Sequence, residues 1–583
     1  MNPVWKLRES EEKMPLASSS LATDELLEGK QWPLLISKLL VARGFTEADQ
    51  VDKLLFPKLA DLKDPLLLKG MAQALERLGQ AYLKNEKICI YADFDLDGTS
   101  GLALLKTGML ALGFPQVLHY QPKRLSEGYG FHDHAVEDLK VQGVSLIITV
   151  DVGITAHAAV DKARELGIDV ILTDHHLPAE TIPNAFVVIN PNQGTCESGL
   201  GYLCGAGVAF YLLRGLKRYF QDHPQLPKNN WDLKEVLDYF TIGTLTDMVP
   251  LVDDNRVLVK HGLMKLAETK RAGLRALLEE LDLTGRPLTS QDVAIRFAPK
   301  LNALSRMESG ILPIDIFLLE EESSARDMVR QVMKNNSTRV QLQSDAETEA
   351  QVILKDWPHK DFVFVASKNF HRGVVGLIAT KLTQVYNKPA FVGSLGEDGL
   401  IVGSARLPQG QEACLVTAMS TAAELMNRFG GHSAAAGFEI AETRVPQFVE
   451  KLAEHFSDLR EKPKPLEIYY DVEAKLPEVS SGLMKWYDFV GPFGAGFSIP
   501  LIHFPKVEVL SKRELKGGHL RLKLADPETG SSLEALLFTP TPRQLQTLAV
   551  IPGVYDVLGE LQWNYFAGQK TIQILIRDLK AAT

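Results

Sequence analysis

Three short apolar runs each end in an aspartate, and two histidines follow the third aspartate. The runs are ICIYA (88–92) before Asp93, LIITV (146–150) before Asp151, and IDVILT (168–173) before Asp174, His175 and His176. Carboxylates that lie close together repel one another, and bound divalent cations remove that repulsion. If the three runs end at one place in the fold, we expect a metal site there.

A denser acidic motif, DFDLDG (93–98), follows the first run. Its spacing matches the start of an EF-hand calcium loop, but the twelfth position is Leu104 instead of glutamate, and an apolar strand precedes the motif. We interpret its three aspartates as an acid cluster on a strand-to-helix turn, which Gly98 allows to be tight. These are Asp93, Asp95 and Asp97. The alternative for this stretch alone is a solvated turn that caps a helix.

A further acid, Asp247, ends an apolar helical stretch in IGTLTDMVPL (242–251). Each acid has an ordinary explanation by itself, as a helix cap, a polar loop or a helix end, but one metal site explains them together. Carboxylates with one or two imidazoles favour Mn²⁺ or Mg²⁺ over zinc, and so many acids suit two ions. Such ion pairs serve in-line displacement at phosphorus, which predicts phosphodiester or phosphoanhydride hydrolysis.

Runs that are apolar on both faces predict the central strands of a parallel sheet. A fourth such run is FVVI (186–189), and helical stretches lie between runs at 101–112 and 155–167. This alternation predicts an α/β doubly wound sheet, whose ligand sites lie at the carboxyl ends of the strands. The predicted fold therefore brings the acids and both histidines to one rim.

The rest of the sequence predicts further units. A mainly helical segment ends in a long polar run, which we interpret as a connecting helix before a second α/β unit. The polar run EKPKP (461–465) predicts a linker, and the alternating runs after it predict a small β-barrel or sandwich. The expected domains are an N-terminal helical segment (1–85), the first α/β domain (86–324), the connecting helix (325–355), the second α/β domain (356–460) and the barrel (466–583).

Composition limits the class of protein. The 583 residues exceed one ordinary core, and their apolar and charged contents, 45% and 23%, are typical of globular proteins. There is no apolar run of 18 residues, the start MNPVWKLRESEEK lacks a signal core, and the four cysteines are scattered, so we expect no membrane span and a cytoplasmic location. The net charge of -10 argues against a nucleic-acid partner only if local patches are ignored.

The motifs of the whole chain resemble the DHH phosphoesterase superfamily and, within it, the RecJ-type exonucleases. The superfamily resemblance rests on the Asp-His-His run, the DFDLDG motif, VDVGI (150–154) and the later aspartate. The other motifs, in the family's order, are EGYGFH (127–132), LCGAGVAFYLL (203–213), TDMVPLVDDNR (246–256), HRGVVGLIATKL (371–382), GSAR (403–406), GGHSAAAGF (430–438) and PFGAGFSIP (492–500).

This resemblance implies a DHH phosphoesterase domain, a connecting helix, a DHH-associated domain and a C-terminal OB-like β-barrel. It also implies a metal-dependent 5′→3′ exonuclease that acts on single-stranded DNA, releases 5′-mononucleotides and serves DNA repair and recombination. Two Mn²⁺ or Mg²⁺ ions are the implied cofactors, and a single-strand-binding protein and a helicase are the implied partners.

Matched residue by residue, the resemblance implies three groups of site residues. The metal ligands are Asp93, Asp95, Asp97, Asp151, His175 and Asp247. Of these, Asp93 has a supporting role in the cluster. The catalytic residues are Asp174, His175 and His176, of which Asp174 orients a histidine and His176 faces the scissile phosphate. The substrate contacts are Arg306, Arg372, Ser404, Arg406, Gly431 and His432. The sequence departs from the family pattern at Val152, Leu304-Ser305, Leu407 and Phe497-Ser498.

Two stretches allow other interpretations. GGHSAAAGF could be a glycine turn that opens an alanine helix, whose first N–H groups would suit a phosphate. The run 506–523 holds six basic residues against two acidic ones and, beside Trp563, Tyr565 and Phe566, predicts either a single-strand groove or a solvated face. If the barrel is independent, cutting the chain near the linker should leave both α/β domains intact.

Three other functions fit parts of the sequence. A DHH phosphodiesterase of short oligonucleotides or cyclic dinucleotides would lack the barrel. A catalytically inactive replication scaffold of the same fold would lack metal ligands, and every expected ligand type is present here. An inorganic pyrophosphatase would not need four domains. A metal-dependent assay on labelled single strands separates these alternatives.

Overall fold

The structure, a computed structural model, describes residues 3–8, 32–307, 310–358, 361–408, 411, 413–458, 466–566 and 568–582. The chain folds into two compact units. The larger unit contains residues 64–249 and 261–463, and the smaller unit contains residues 1–63, 250–260 and 464–583. The domain boundaries expected from the sequence remain predictions, and the EKPKP run lies outside the described residues.

The strands are numbered in chain order. They are β1 (Val4–Leu7), β2 (Ile88–Ala92), β3 (Val117–Tyr120), β4 (Leu146–Val150), β5 (Asp169–Thr173), β6 (Val187–Ile189), β7 (Val363–Ser367), β8 (Ala390–Leu395), β9 (Leu400–Arg406), β10 (Met426–Gly431), β11 (Ala435–Ala441), β12 (Glu467–Tyr470), β13 (Val472–Glu473), β14 (Ile502–Leu515), β15 (His519–Ala525), β16 (Ser532–Leu537), β17 (Gly553–Phe566) and β18 (Gln569–Ala581).

The α-helices are numbered in the same way. They are α1 (Leu34–Ala42), α2 (Ala48–Leu55), α3 (Met71–Leu83), α4 (Leu96–Ala111), α5 (Asp133–Val141), α6 (His157–Glu165), α7 (Gly205–Asp222), α8 (Leu237–Thr246), α9 (Asp253–Ala267), α10 (Ala272–Glu280), α11 (Ala298–Arg306), α12 (Pro313–Phe317), α13 (Glu322–Ile353), α14 (Val375–Tyr386), α15 (Leu415–Ser420), α16 (Val445–Asp458), α17 (Ser481–Val490) and α18 (Pro542–Thr547). Within the described ranges, no helix is long and apolar enough to cross a membrane.

The first sheet of the larger unit is parallel, with the strand order β3-β2-β4-β5-β6. Every residue of β2 and β4 is buried, as expected for central strands with helices on both faces. The four predicted strands are confirmed. The sequence did not predict β3, because its residues are only partly buried and lack the continuous apolar pattern.

The second sheet of the larger unit has the order β10-β11-β9-β8-β7, in which only β7 and β8 are parallel. The predicted connecting helix is confirmed as α13, which has 32 residues and precedes this sheet. The helix considered for GGHSAAAGF is wrong. That stretch is the turn of the antiparallel hairpin β10–β11, because its small residues lie in extended backbone that pairs across the turn.

The smaller unit is built around a closed barrel of five strands. The ring runs β14-β15-β16-β18-β17 and closes where β17 pairs with β14, while β13 extends the edge beside β14. Its apolar core includes residues of α1 and α2, such as Leu40 and Leu55, together with barrel residues such as Val557. The helical pattern predicted for residues 1–85 is wrong at Val4–Leu7, which form β1 and pair with β12 in parallel.

Residues 250–260 pack within the smaller unit against the loop after α17. The Leu251 N–H donates to the Ala495 carbonyl at 2.8 Å, and Arg256 donates to the Pro492 carbonyl at 2.9 Å. The Phe497 ring lies 4.4 Å from the Arg256 guanidinium and 4.8 Å from that of Arg43. The barrel is therefore not an independent C-terminal piece, because segments far away in the sequence complete its unit.

Candidate metal centre and anion site

The predicted acid positions lie at adjacent strand ends of the parallel sheet. Asp93 follows β2, Asp151 follows β4 and Asp174 follows β5, and these three strands are neighbours. Asp151 has a φ of 62°, a left-handed conformation that aspartate tolerates better than most residues. Such strained backbone is found most often at functional sites, where the surrounding structure enforces it.

His175 lies at the centre of the acids. Its Nε2 atom is 3.1 Å from Asp151 Oδ1, 3.7 Å from Asp247 Oδ2 and 3.8 Å from Asp97 Oδ2. Three groups have ligand atoms within 4.8 Å of one another, namely Asp151 with His175 and His176, Asp97 with His175 and Asp247, and Asp93 with Asp95 and Asp151. The structure thus brings together all six residues predicted as ligands.

Two helix N-termini hold the acids in place. Asp95 caps α4 by accepting from the N–H groups of Asp97 and Gly98, so the predicted helix cap is present, but the turn is not solvated because Asp93 and Asp97 are buried. Asp97 accepts from the Gly205 N–H at 2.6 Å, at the start of α7. A Cβ at Gly205 would lie 2.4 Å from Asp151 Cβ, which explains the glycine in the LCGAG stretch.

Asp174 faces the protein rather than the open centre. Its Oδ1 accepts from the N–H of His175 at 2.7 Å and from Nδ1 of His176 at 2.8 Å, and its Oδ2 accepts from the Ile154 N–H at 2.9 Å. Burial works against ionisation of Asp174, but the hydrogen bond and charge of His176, together with the backbone N–H groups of Ile154 and His176, outweigh it and lower the Asp174 pKa. The same bond raises the His176 pKa to about 9 against the effect of burial. This geometry suits the expected role of Asp174 in orienting a histidine.

Burial and mutual repulsion disfavour the ionised form of three other acids of the centre. Burial, followed by repulsion from neighbouring carboxylates, raises the pKa of Asp93 to about 7 and that of Asp247 to about 8. The same causes raise the pKa of Asp151 well above its usual value. Asp93 Oδ1, Asp151 Oδ1 and His175 Nε2 are buried and make no hydrogen bond of good geometry, although the last two atoms lie 3.1 Å apart. A group of buried ligand atoms that is rich in carboxylate oxygen and makes few hydrogen bonds fits hard divalent cations such as Mn²⁺ or Mg²⁺.

A second site in the larger unit contains positively charged side chains, which lie around the segment 373–376. Arg306 donates to the Gly373 carbonyl at 3.3 Å, and Arg406 donates to Ser404 Oγ at 2.7 Å. A Cβ at Gly376 would lie 3.2 Å from Arg406 Nη2, so the N-terminus of α14 also faces this point. Burial and neighbouring arginines lower the Arg306 pKa to about 9. Because helix N-terminal amides and guanidinium groups both favour anions, we name this cluster the anion site as a candidate.

The hairpin β10–β11 borders the anion site, and it carries two more predicted residues. Ala435 of β11 pairs with Arg406, and the His432 N–H donates to the Ala435 carbonyl at 2.8 Å. Gly431 has a φ of 143°, and a Cβ there would lie 2.5 Å from the Ala435 carbonyl oxygen, so a glycine is required. Gly437, opposite Ser404, leaves the sheet surface flat beside the serine.

Among the described residues, no contact connects the Arg372 side chain with Arg306 or Arg406 of the anion site. It lines a groove of about 540 Å³ on the second sheet, together with Val402 and Arg428. Three acids also line this groove, so it is not a purely cationic surface. They are Glu397, Asp398 and Glu439. A substrate contact of Arg372 therefore stays a prediction without support from its surroundings.

Sequence reasoning missed two residues beside the metal centre, Arg124 and Tyr129. Arg124 lies over the Phe94 ring at 5.1 Å, and its half-buried guanidinium interacts with the charges of Asp93 and Asp95. The Tyr129 ring is 6.0 Å from the His176 ring and about half exposed. Both lie in the loop that contains EGYGFH (127–132). This motif was recognised only because it stands in the family's order of motifs, and that was the only sequence feature that pointed to this loop.

Some aromatic residues and cations of the barrel have partners within the protein. Trp563 donates to Asp488 at 2.9 Å, and the Lys570 ammonium lies 3.8 Å from its ring centroid. In the basic run, Arg521 pairs with Glu534. Phe566 is 74% exposed at the tip of the β17–β18 hairpin, so single-strand binding by the barrel remains a prediction.

Comparisons with known proteins agree with this architecture. Three family models match: the DHH family, N-terminal domain, over residues 87–244, the DHHA1 domain over 360–458 and the RecJ OB domain over 470–578. The chain is 31% identical to the single-stranded-DNA-specific exonuclease RecJ of Salmonella typhimurium, over 94% of this chain and 96% of that protein. It is 30% identical to RecJ of Escherichia coli, over 94% and 96%.

A solved structure extends the likeness to three dimensions. The crystal structure of RecJ in complex with Mn²⁺ from Thermus thermophilus matches with a TM-score of 0.77 and 27% identity, over 100% of this chain and 80% of that one. The identity to full-length relatives, the three domain matches in order and this structural match lead to one conclusion: the chain belongs to the RecJ family of single-stranded-DNA-specific exonucleases.

Proposed function

We propose that this chain is a metal-dependent exonuclease that degrades single-stranded DNA from the 5′ end and releases 5′-mononucleotides. One observation carries the proposal: a cluster of buried carboxylates with unsatisfied oxygens and a cluster of arginines lie in the same compact unit. The first favours the binding of cations and the second favours the binding of an anion. A nucleic-acid end with bound divalent ions supplies both.

The acid cluster would hold two Mn²⁺ or Mg²⁺ ions through Asp93, Asp95, Asp97, Asp151, His175 and Asp247. When bound, such ions activate water and stabilise the leaving oxygen in phosphodiester hydrolysis. Asp174 orients His176 by accepting from its Nδ1 atom, and this bond raises the His176 pKa. A protonated His176 can donate a hydrogen bond to the scissile phosphate, which stabilises the charge that develops there.

The anion site would hold the terminal phosphate through Arg306, Ser404, Arg406 and the N-terminus of α14. A terminal phosphomonoester carries close to two negative charges near neutral pH, whereas an internal diester carries one. Charge-assisted bonds from two arginines therefore favour an end over an internal site, which supports exonuclease action. Gly431 and His432 would line the same pocket from the adjacent hairpin.

Oligonucleotides of about 20 residues with a 5′ or a 3′ label test the proposal. With Mn²⁺, the 5′ label should appear in mononucleotides at once, while the 3′ label stays in a shortening ladder. Early release of the 3′-labelled nucleotide would refute the polarity, equal rates on blunt duplex would refute the strand specificity, and cleavage of only very short oligonucleotides would favour the phosphodiesterase alternative.

The cellular setting belongs to the same proposal. All four cysteines are free thiols, which supports a cytoplasmic location. An enzyme restricted to single strands needs a helicase to act on duplex DNA, and single strands in cells carry a binding protein. A helicase and a single-strand-binding protein are therefore the partners we propose, in DNA repair and recombination.

A further inference from the structure

The loop between β3 and α5 runs beside the metal centre and carries Arg124 and Tyr129. Arg124 interacts with the charges of Asp93 and Asp95, and the Tyr129 ring lies 6.0 Å from the His176 ring. Both side chains therefore lie beside the acid cluster. Neither is part of a helix or a strand, so their positions depend on what holds the loop.

The carboxylate of Glu127 joins three parts of this loop. Its Oε1 accepts from the Tyr120 hydroxyl at 2.6 Å and lies 3.2 Å from His134 Nε2, and its Oε2 accepts from the Lys123 N–H at 2.7 Å. Tyr120 ends β3, and His134 lies in the first turn of α5. One side chain thus links both ends of the loop with its middle.

The backbone of the loop is shaped around this carboxylate. The Glu127 N–H donates to the Lys123 carbonyl at 2.9 Å, which closes a tight turn. Gly128 and Gly130 have φ values of 81° and 134°, conformations that favour glycine. Tyr91 donates from its hydroxyl to the Gly130 carbonyl at 2.9 Å and fixes the far side of the loop. The EGYG part of the EGYGFH motif is thereby explained.

We propose that Glu127 is a positioning residue: it fixes the loop so that Arg124 and Tyr129 meet the nucleotide at the metal centre. This inference rests on the proposed function, because the nucleotide is the ligand that the two side chains contact. Arg124 would contact a phosphate of the bound strand, and Tyr129 would stack on its base. Burial works to raise the Glu127 pKa, but the bonds from Tyr120, Lys123 and His134 outweigh it and lower that pKa, so the carboxylate is ionised near neutral pH.

Glu127→Gln in the full-length protein is the first test, since glutamine keeps the shape but cannot satisfy all three donors with one oxygen. KM for single-stranded DNA should rise about 10-fold, because small misplacements of contacting groups weaken binding. The kcat at saturating DNA and the Mn²⁺ concentration for half-maximal rate should stay within about twofold. Glu137→Gln, on the exposed face of α5, is the matched control and should match the wild type.

A double-mutant cycle separates positioning from a general loss of stability. Arg124→Ala should itself raise KM, and Glu127→Gln added to Arg124→Ala should raise KM much less than it does alone. Fully additive effects would overturn the proposal, as would an unchanged KM in Glu127→Gln. A changed Mn²⁺ requirement with an unchanged KM would also overturn it, because Glu127 would then act on the metal ligands.

His134→Ala removes one donor and leaves the carboxylate, so it gives a result even if Glu127→Gln does not fold. A KM increase of about two- to threefold, absent in the Glu127→Gln background where both fold, supports the proposal. An unchanged KM in a folded His134→Ala protein argues against it. If the wild type itself does not cleave single-stranded DNA, the proposed function fails; if it does and these variants bind normally, only the role of Glu127 fails.

Discussion

The metal centre and the anion site are built from opposite charges by the same principle. In the first, burial and neighbouring acids raise the pKa of Asp93 and Asp247. In the second, burial and neighbouring arginines lower the pKa of Arg306 and Arg406. Like charges repel one another in each site. The free energy of each site is therefore lower when a ligand of opposite charge is bound. The difference in sign supports the proposal that one ligand, a phosphate with bound cations, fills both sites.

The largest effect is expected at the metal centre. Asp151→Asn keeps the shape and tolerates the left-handed backbone, but it removes one ligand and one buried charge. Activity with Mn²⁺ should fall by about 10³-fold or more, since metal ions supply several kcal/mol of transition-state stabilisation. The melting temperature of the metal-free protein should rise in the same variant. Asp161→Asn, an exposed change on α6, is the control, and near-normal turnover in Asp151→Asn would contradict the metal assignment.

A smaller effect is expected at the anion site. Arg406→Ala should raise KM for 5′-phosphorylated single strands by about 10- to 150-fold, the equivalent of one charge-assisted hydrogen bond of about 1.5–3 kcal/mol. The KM for strands with a 5′ hydroxyl should change little, because the lost contact is with the terminal phosphate.

Arg372→Ala compares another predicted substrate contact with Arg406→Ala, since Arg372 lies in the groove with three acids. These acids offset its charge, so we expect a smaller rise in KM than for Arg406→Ala, within about threefold of the wild type. A larger increase in Arg372→Ala than in Arg406→Ala would move the phosphate site to that groove and remove the contrast between the two clusters.

A third change tests the contact next to the metal centre. Tyr129→Ala should raise KM about 5- to 10-fold, the lower part of the range for one base stacked on an aromatic ring, because Tyr129 is half exposed. Tyr129→Phe retains the ring and should bind as the wild type does. Equal losses in both variants would show that the hydroxyl, rather than stacking, makes the contact.

The smallest effect concerns pH and stability. The folded-state pKa values of Asp93 and Asp247, about 7 and about 8, lie above the usual value for aspartate. The folded protein then binds more protons than the unfolded chain, so metal-free stability should fall as pH rises through 7 and 8. Bound cations offset this loss, so the rise in melting temperature on adding Mn²⁺ should be larger at pH 8 than at pH 6, by a few degrees. Scanning calorimetry at both pH values measures it, and a larger rise at pH 6 would contradict the account.

The positions of the acids could be predicted because strand ends in parallel sheets follow a simple rule. Asp93, Asp151 and Asp174 each follow a buried apolar run, and the fold then brings them together. Arg124 and Tyr129 could not be found in this way, because they lie in a loop whose path depends on Glu127 and two glycines. Periodicity carries no information about such loops.

Long-range pairing limited the fold prediction as well. The strand Val4–Leu7 is recognisable only with its partner Glu467–Tyr470, and the GGHSAAAGF hairpin only with β9 beside it. The same limit applies to residues 250–260. Their sequence predicts a loop and the start of a helix, and it does not indicate that they belong to the smaller unit. Their contacts with the loop after α17 depend on residues more than 200 positions away.

The divided smaller unit has a consequence for synthesis of the protein. Val51 and Leu55 of α2 are buried in a core completed by Phe504 and Val557, which leave the ribosome more than 400 residues later. At about 5–20 residues per second, these early apolar side chains remain without their partners for tens of seconds. The larger unit, whose residues 64–249 come next, can fold during that time. The first helices therefore need protection by a chaperone or by transient contacts until the barrel strands arrive.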